Sequence, residues 1–377
     1  MSAPRRNVDT IVTGLHLRWR GVWQRPNHIL SRLARHVPVI VLEEPVAASS
    51  ELEAVVRAGA VTIVTPHRTQ PSTEVADARV VEVVRSLTAG RRPLVWLYTP
   101  MMLDLADAFA GAPLVYDKMD ELAAFAGADR RTAERENALL TRADFTFAGG
   151  RSLFRSVRSR AVRACCYPSG VDARHFAQAL ELAPHPRLRA LGSRPIFGYI
   201  GVIDERLDLA LVADIADARP DALVVMVGPV VKIATQTLPQ RPNIVYFGKA
   251  EYDELPALLA GFDVALMPFA INVHTHNISP TKTLEYLAAG LPVVSTAVPD
   301  VVEDFGDVVR VEVTRQGFVA ALRALPPPDA ERDRRIQRKV RAATWDAIAS
   351  GMLDDLASCG IDLTASPERC VTAAGAV

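Results

Sequence analysis

A serine, a proline and a lysine directly precede an apolar helical pattern in the C-terminal half of the chain. Ser279 is expected to cap this helix, Pro280 to occupy its first turn, and Gly290 to end it before a buried strand. The unpaired N–H groups and the dipole of a helix N-terminus attract an anion such as a phosphate. Lys282 in the first turn could neutralise a diphosphate, and Glu285 could accept hydrogen bonds from sugar or ribose hydroxyls. A nucleotide-sugar site requires both functions.

The same segment could instead be an ordinary amphipathic helix. In that interpretation Leu284 and Leu287 face the core, while Lys282 and Glu285 form a solvated pair on the opposite face. A short motif alone does not separate the two interpretations, so the rest of the chain must decide between them.

Glycines and lysines follow three other apolar segments of strand length in the same half. Gly201, Gly228 and Gly248 each come directly after such a segment, and Lys232 and Lys249 lie in the following loops. Ligands bind at the carboxyl ends of the strands in open α/β sheets. We therefore expect the first two glycines to approach phosphates or sugar, with Lys232 in the second loop, and the third loop to hold the nucleotide base. Each glycine alone would also fit a plain turn, but together they favour a site.

Two loops of the N-terminal half, residues 14–28 and 117–125, concentrate aromatic, basic and acidic side chains. They contain Gly14, Trp19, Arg20, Trp23, Gln24, Arg25, His28, Asp117, Asp120 and Glu121. Aromatic faces and guanidinium groups suit sugar rings and phosphates, and carboxylates suit sugar hydroxyls. We assign both loops to the acceptor. The alternative for the acidic residues is capping and solvation of the segment that follows them.

Length and composition restrict the class of protein. A chain of 377 residues is long for a single core and predicts two domains. With 49% apolar and 23% charged residues, it is a globular chain, and its net charge of zero gives no indication of nucleic-acid binding. No apolar run is long enough to span a bilayer, and no signal peptide is recognisable, so a cytoplasmic location is expected. The four cysteines match neither a metal spacing nor a disulfide framework.

Strand-length and helical patterns alternate along the chain, and the alternation restarts near residue 195. Such a pattern predicts an α/β fold of two Rossmann-like domains, each with a mostly parallel sheet covered by helices. A single long helical pattern follows the prolines at 326–328 and is expected to pack back across both domains. The predicted division is an N-terminal acceptor domain of residues 1–185, a C-terminal nucleotide-sugar domain of 186–328, a helix of 329–363 and a loose tail of 364–377.

These segments together resemble the GT-B glycosyltransferases, in particular the retaining group called family four. The resemblance is carried by Ser-Pro-x-Lys-x-x-Glu-Tyr-x-Ala-Ala-Gly-x-Pro-Val-Val at 279–294 and by Pro-Ser-Gly-Val-Asp at 168–172 followed by Phe176. Within the group, the chain looks closest to bacterial enzymes of cell-surface polysaccharide synthesis of the teichuronic-acid kind. That similarity rests on Trp-Gln-Arg-Pro at 23–26, Tyr-Asp-x-Met-Asp-Glu at 116–121 and Gly-Tyr-x-Gly-x-Ile-Asp at 198–204.

The resemblance implies a GT-B fold, with two domains facing each other across a cleft, and the transfer of a sugar from a nucleotide-diphosphate donor with retention. It places Lys282, Arg206 and Glu285 in catalytic positions. The donor would also contact Gly201, Val202, Gly228, Lys232, Gly248, Lys249, Ser279, Pro280, Thr281 and Thr283. The chain departs from the family pattern at Asn277, where a first acidic residue is common, and at Val202, where an arginine is common and Arg206 could substitute.

No Asp-x-Asp motif stands at a predicted strand end, so we expect no metal or other cofactor beyond the donor itself. Lys282, Arg206 and the helix N–H groups would stabilise the departing diphosphate instead. The domains are expected to close about hinges near 169–172 and 326–328.

The expected partners are the donor and a saccharide or lipid-linked acceptor, without nucleic acid. The arginines of residues 151–163 could be a solvated helix face or could contact an anionic membrane surface from the cytoplasmic side. Two alternatives in function are a GT-B-shaped nucleotide-sugar epimerase and a catalytically silent nucleotide-binding partner protein. An NAD-dependent oxidoreductase ranks last, because Gly14 is not followed by a Gly-x-Gly-x-x-Gly pattern.

Overall fold

The computed structural model describes residues 5–70, 77–125, 127–272, 275–324 and 329–364. These residues form two α/β domains, each built on one sheet, and they confirm the predicted α/β fold class. The helices are α1 Arg25–Leu33, α2 Ala78–Leu87, α3 Asp104–Ala108, α4 Thr132–Arg142, α5 Arg151–Val157, α6 Ala173–Ala177, α7 Pro186–Arg189, α8 Leu209–Ala218, α9 Leu255–Leu259, α10 Thr281–Ala288, α11 Pro299–Phe305, α12 Arg315–Ala321, α13 Ala330–Ala342 and α14 Trp345–Ser358.

The N-terminal domain contains a nine-stranded sheet. Its strands, with the short β1 that lies outside it, are β1 Arg6–Val8, β2 Thr10–Leu15, β3 Val39–Glu43, β4 Val46–Ala47, β5 Leu52–Ala58, β6 Val61–Arg68, β7 Pro93–Leu97, β8 Leu114–Lys118, β9 Phe145–Ala148 and β10 Ala164–Cys166. The order is β10-β9-β8-β7-β2-β3-β6-β4, all parallel, with β5 antiparallel to β6. Two apolar clusters cover its opposite faces, which is why its central strands are buried and mostly apolar.

The C-terminal domain contains a six-stranded parallel sheet in the order β13-β12-β11-β14-β15-β16. Its strands are β11 Ile196–Ile200, β12 Leu223–Val227, β13 Ile244–Gly248, β14 Val264–Met267, β15 Val293–Thr296 and β16 Arg310–Glu312, and β17 Ile361–Leu363 pairs with β1 instead. One large apolar cluster surrounds this sheet. The strand order reverses at β11, so the loops after β11 and β14 diverge and leave a crevice at the carboxyl edge.

The C-terminal domain begins earlier than the predicted boundary near residue 185. Phe176 of α6 and Leu188 of α7 are both buried in the core of the C-terminal domain. The N–H of His185 donates a hydrogen bond to the carbonyl of Ala257 at 2.8 Å. The polar and proline-rich composition of this segment suggested a linker, but its few apolar residues anchor it to the second domain. The chain therefore first crosses from the N-terminal to the C-terminal domain close to Val171.

The predicted single C-terminal helix is in fact two helices, α13 and α14, that belong to different domains. Lys339 of α13 forms an ion pair with Asp307 at 3.1 Å and so binds to the C-terminal domain. Trp345 and Met352 of α14 are buried in the core of the N-terminal domain. The hydroxyl of Thr344 accepts the N–H of Ala347 and begins the second helix.

The two passages between domains lie side by side. The N–H of Val171 donates to the carbonyl of Ala343 at 2.9 Å, and the N–H of Trp345 donates to the carbonyl of Val171 at 3.2 Å. The second passage is therefore at residues 343–344, later than the predicted crossing at 326–328. Residues 325–328 lie outside the described residues, as does the predicted tail apart from Thr364.

Several of the arginines in residues 151–163 face the other domain rather than solvent alone. Arg151 pairs with Asp304, and Arg155 lies 2.8 Å from Glu303, both on α11. Arg160 stays within the N-terminal domain, where it contacts Asn137 and Glu136. These ion pairs reduce the positive charge that the segment could present to a membrane.

Candidate functional site

A cavity of about 480 Å³ lies between the two domains, where the carboxyl ends of both sheets face each other. The wall that the C-terminal domain forms contains ten of the predicted catalytic and donor-binding residues. They are Gly201, Val202, Arg206, Gly228, Lys249, Ser279, Pro280, Thr281, Lys282 and Glu285. Leu284 and Leu287 of α10 are buried, as the amphipathic interpretation has it, but Lys282 and Glu285 line the interdomain cavity and not an open surface of the helix.

Helix α10 presents an uncapped N-terminus to this cavity. Pro280, not Ser279 as predicted, occupies the N-cap position, and its side chain cannot accept a hydrogen bond from the first turn. The hydroxyl of Ser279 instead accepts the N–H of Ser169 at 3.4 Å, which joins the two domains. The N–H of Thr283 donates to the carbonyl of Pro280 at 3.3 Å, while those of Thr281 and Lys282 have no acceptor among the described residues and are available to an anion in the cavity.

Lys282 and Glu285 form an electrostatically coupled pair at the base of the cleft. Burial raises the pKa of Glu285 to about 7, while the positive charge of Lys282 opposes that rise. Burial likewise lowers the pKa of Lys282, and Glu285 opposes that change. Each charge is incompletely solvated without a ligand. A diphosphate beside Lys282 and hydroxyl groups beside Glu285 would supply the missing partners.

Arg206 is a second cation, besides Lys282, in the wall that the C-terminal domain forms, and Asp204 fixes its position. Its Nε and Nη2 donate to the carboxylate of Asp204 at 3.0 and 2.7 Å. The hydroxyl of Tyr199 donates to the carbonyl of Val202 at 2.9 Å and fixes the same loop. Arg206 thus stands on the loop where Val202 replaces the arginine of the family pattern. Asn277, the other departure, is half-buried and does not line the cavity.

Positions 201 and 228 require glycine because neighbouring loops approach each other closely there. Their φ angles are 150° and 143°, which side-chain-bearing residues rarely adopt. A Cβ on Gly201 would overlap the Cε of Lys282, and one on Gly228 would overlap the carbonyl of Gly201. Glycine at 201 therefore leaves room for the Lys282 side chain, and glycine at 228 leaves room for the backbone of the loop after β11.

The wall that the N-terminal domain forms contains six of the side chains that the sequence assigned to the acceptor. They are Trp19, Arg20, Trp23, Gln24, Arg25 and Asp120, and Met119 of the second loop lies beside them. Burial raises the pKa of Asp120, and the charges of Arg206 and Lys232 across the cleft oppose that rise. Asp120 is thus the acid of this domain that faces the cations of the other one.

Four other predicted acceptor residues do not line the cavity. Two of them, Asp117 and His28, form hydrogen bonds with residues of its wall. Asp117 is fully buried and accepts a hydrogen bond from Arg25 Nε at 3.0 Å. His28 accepts from Trp23 Nε1 at 3.1 Å and stacks on Trp345. Burial, followed by the charge of Arg32, lowers the pKa of His28 to about 3, so it is neutral and can accept this bond.

The remaining two, Glu121 and Gly14, have local roles. Glu121 accepts a hydrogen bond from the buried Lys118 at 3.0 Å. Gly14 lies over Met102, and a Cβ at this position would overlap that side chain. Neither reaches the cavity, because each is covered by its own domain.

Three predicted donor residues also lie outside the cavity. Lys232 points to the other domain, with its Nζ 4.4 Å from the centre of the Phe125 ring. The carbonyl of Gly248 accepts the N–H of Gly228 at 2.8 Å, so it serves the loop itself. Thr283 is fully buried and its hydroxyl contacts the sulfur of Met267.

Several cavity residues were not predicted from the sequence. They include Ser169, Tyr199, Glu251, Tyr252 and Phe269. Tyr252 comes from the loop after β13, and its ring centre lies 6.2 Å from that of Trp23 in the other domain. Its position four residues after Gly248 was the available signal, but an aromatic residue that begins a helical segment is ordinarily a core residue.

Two negative observations concern the described residues only. Within residues 5–70, 77–125, 127–272, 275–324 and 329–364, no three His, Cys, Asp or Glu side chains are grouped so that they could hold a metal ion. In the same ranges no helix has the length and apolar character that crossing a membrane requires.

Comparison with known sequences identifies relatives of this chain. Residues 194–325 match the family described as glycosyl transferases group 1. A putative teichuronic acid biosynthesis glycosyltransferase of Bacillus subtilis (strain 168), TuaH, is 26% identical over 234 residues, which cover 58% of this chain and 59% of that protein. The match thus spans less than two thirds of that relative.

Solved structures resemble the whole architecture. The UDP-forming α,α-trehalose-phosphate synthase of Burkholderia vietnamiensis has a TM-score of 0.69 at 17% identity and covers 93% of this chain and 99% of its own. Anabaena HepE in complex with UDP has a TM-score of 0.64 at 14% identity and covers 93% and 100%. At these identities the likeness establishes the fold, and it confirms the two-domain arrangement predicted from the sequence.

Proposed function

We propose that this chain, in which residues 194–325 form a glycosyl transferases group 1 domain within a GT-B fold, transfers a sugar from a nucleotide-diphosphate donor to a saccharide or lipid-linked acceptor. The observation that carries the proposal is the position of Lys282 and Glu285. Both project from the uncapped start of α10 into a cavity that the two domains close together. The similarity to TuaH favours a role in cell-surface polysaccharide synthesis.

The donor diphosphate would lie at the start of α10. Lys282, Arg206 and the free N–H groups there would stabilise the negative charge that develops as the bond from sugar C1 to the phosphate oxygen breaks. We propose that this set of cations replaces a metal ion. Glu285 would orient the donor through hydroxyl groups, and Gly201 and Gly228 would allow the phosphates to approach the backbone.

The acceptor hydroxyl would enter from the wall formed by Trp23, Arg25 and Asp120 and attack C1. In the retaining course that we propose, it attacks from the face that the diphosphate leaves. The electron pair of the broken bond goes to the leaving phosphate oxygen, which also takes the proton of the acceptor hydroxyl. Enclosure between the domains keeps water from accepting the sugar instead.

We also propose that the protein acts at the cytoplasmic face of the membrane when its acceptor is lipid-linked. Arg158 and Arg163 are the exposed members of the arginine segment without an ion pair in the described part of the chain. They are few, so such contact would be peripheral and salt-sensitive.

Incubation of the protein with UDP- and GDP-linked sugars and a panel of saccharide acceptors tests the proposal. Release of nucleoside diphosphate together with a new glycosidic bond at C1 supports it, and the NMR coupling of that anomeric proton decides between retention and inversion. Isomerised nucleotide sugar without transfer would indicate the epimerase alternative. Nucleotide binding with neither reaction would indicate a silent partner protein.

A further inference from the structure

The arginines of the first loop differ sharply in their partners. Arg18 donates to Glu43 and to the carbonyl of Pro45, so its charge is neutralised away from the cavity. Arg20 lines the cavity and is exposed, and in the described part of the chain it has no hydrogen bond or ion pair. Its charge is therefore available to a molecule in the cleft.

Arg25 adds a rigid, buried guanidinium to the same wall. Its side chain is 2% exposed, with Nε bonded to Asp117 at 3.0 Å and Nη1 bonded to the carbonyl of Tyr167 at 2.7 Å. Its Nη2 is buried and lies 3.0 Å from Asp117, with which it forms an ion pair. The guanidinium group of Arg25 is therefore held rigidly in the wall, with its charge balanced by Asp117.

The other cations of the cavity already have acidic neighbours. Arg206 is bonded to Asp204, and Lys249 lies 2.9 Å from Glu251. Lys282 faces Glu285. Asp120 is the acid on the N-terminal wall, and the nearest opposite charges acting on it are those of Arg206, Lys232 and Lys118 rather than that of Arg20. Arg25 is paired with Asp117, so Arg20 is the cation of the cavity wall that has no acidic partner in the described part of the chain.

An aromatic platform adjoins these arginines. The Trp23 ring is 39% exposed, its Nε1 is anchored on His28 at 3.1 Å, and Trp19 and Tyr252 flank it. The apolar face of a sugar ring stacks on such a surface, while guanidinium forks bind carboxylates and phosphates with paired hydrogen bonds.

We propose that Arg20, with the ring of Trp23, forms a subsite for a negatively charged group of the acceptor, either a carboxylate or a phosphate. This inference deepens the proposed function and rests on it. The acceptor would be a uronic acid or a phosphorylated sugar, with its ring on Trp23 and its anion beside the guanidinium group of Arg20. A neutral sugar would leave that guanidinium group without an anionic partner.

Calorimetric titration of the nucleotide-saturated protein tests the subsite. The protein is first saturated with UDP or GDP, whichever binds, so that the diphosphate position at α10 is filled. Inorganic phosphate, glucuronate and neutral glucose are then titrated separately. We expect at least one of the two anions to bind, and about tenfold more tightly than glucose, because a charged hydrogen bond of this kind is worth roughly a factor of ten or more.

Arg20→Gln should weaken that anion about tenfold and leave nucleotide affinity unchanged. Arg158→Gln, which removes an exposed arginine far from the cavity, is the matched control and should change neither. Stronger binding of phosphate than of glucuronate would indicate a phosphorylated acceptor, and the reverse a uronic acid.

Equal binding of glucose and the anions, or unchanged anion binding in Arg20→Gln, would overturn the subsite while nucleotide binding still supports the proposed function. Failure of the wild-type protein to bind any nucleoside diphosphate would overturn both. The two failures are therefore distinguishable in one set of titrations.

Discussion

Lys282 lies across Gly201 so closely that the glycine has no room for a side chain. A Cβ at this position would overlap the lysine Cε, and the φ angle of 150° already disfavours any other residue. The loop after β11 and the first turn of α10 are therefore a single unit. Its geometry determines where the lysine ammonium meets a ligand in the cleft.

Gly201→Ala should displace the Lys282 side chain and weaken binding of nucleoside diphosphates about tenfold, because the charge no longer meets the phosphates. Gly192→Ala is the matched control, since Gly192 has a φ of 93° but nothing within 4 Å of an added Cβ. Gly192→Ala therefore shows the effect of backbone strain at a positive φ without any contact to Lys282. Equal affinity in the two variants, measured by calorimetry, would show that the contact with Lys282 has no role in binding.

The sequence predicted the fold and the C-terminal wall because both depend on local patterns. The run from Ser279 to Glu285 keeps its spacing on one helix, and Gly201 and Gly228 stand directly after strands, so their positions at the sheet edge follow from α/β topology. The exact cap was missed because Ser279 is used by Ser169 of the other domain.

Residues whose role depends on the other domain could not be predicted in this way. Lys232 was expected in the cleft but reaches Phe125, and Tyr252 entered the cavity wall only because Trp23 faces it. Asp117 and Arg25 form a buried pair between distant segments, and nothing in the spacing of either loop shows which of them faces the ligand.

The affinity for a nucleotide sugar should rise between pH 6 and pH 8, by up to about tenfold, because the ionised Glu285 carboxylate accepts stronger hydrogen bonds than the neutral acid and its pKa is about 7. A nucleotide sugar is the right probe, since its diphosphate has no terminal group that titrates in this range. In Glu285→Gln the affinity for the nucleotide sugar should be low and should not change with pH in this range. A wild-type profile that is equally flat would contradict the assignment of Glu285.

The same pKa predicts the direction of a stability change. The pKa of Glu285 is higher in the folded protein than the ordinary value of 4.5, so the folded state binds more protons between these values. The stabilisation from protonated Glu285 is complete below pH 4.5 and is lost as the pH rises through about 7. Unfolding by urea at several pH values should show this loss in the wild type and not in Glu285→Gln.

Sugar transfer should survive chelation, because Lys282, Arg206 and the α10 N–H groups provide the positive charge for the leaving diphosphate. Once a substrate pair is known, turnover is measured before and after dialysis against EDTA. Unchanged turnover is expected. A loss that Mg²⁺ or Mn²⁺ restores would show that a metal ion takes part.

Donor binding should close the domains about residues 169–172 and 343–344. Asp300 of α11 links the two domains, since its carboxylate accepts the N–H groups of Arg151 and Ser152 at 2.9 and 3.0 Å and so caps α5 of the other domain. X-ray scattering should show a smaller radius of gyration with a nucleotide sugar than without it, and a smaller change in Asp300→Ala.

Asp307→Ala is the control for that variant, because Asp307 pairs with Lys339 on the C-terminal side and does not join the domains. Circular dichroism verifies that each variant folds. An unchanged radius of gyration in the wild type under saturating ligand, with binding verified separately, would mean that the cleft is preformed.

The most direct test of a nucleotide-diphosphate site at α10 is thermal unfolding with a panel of nucleoside diphosphates. We expect UDP or GDP, at about a hundred times its dissociation constant, to stabilise the wild-type protein by roughly 2.7 kcal/mol. Lys282→Ala and Glu285→Ala should still fold but lose most of this effect. Leu284→Ala, on the same helix but only 2% exposed, should instead lose about 2–5 kcal/mol of stability and keep its response to ligand. No stabilisation by any nucleoside diphosphate, or full stabilisation of Lys282→Ala, would contradict a nucleotide-diphosphate site at α10.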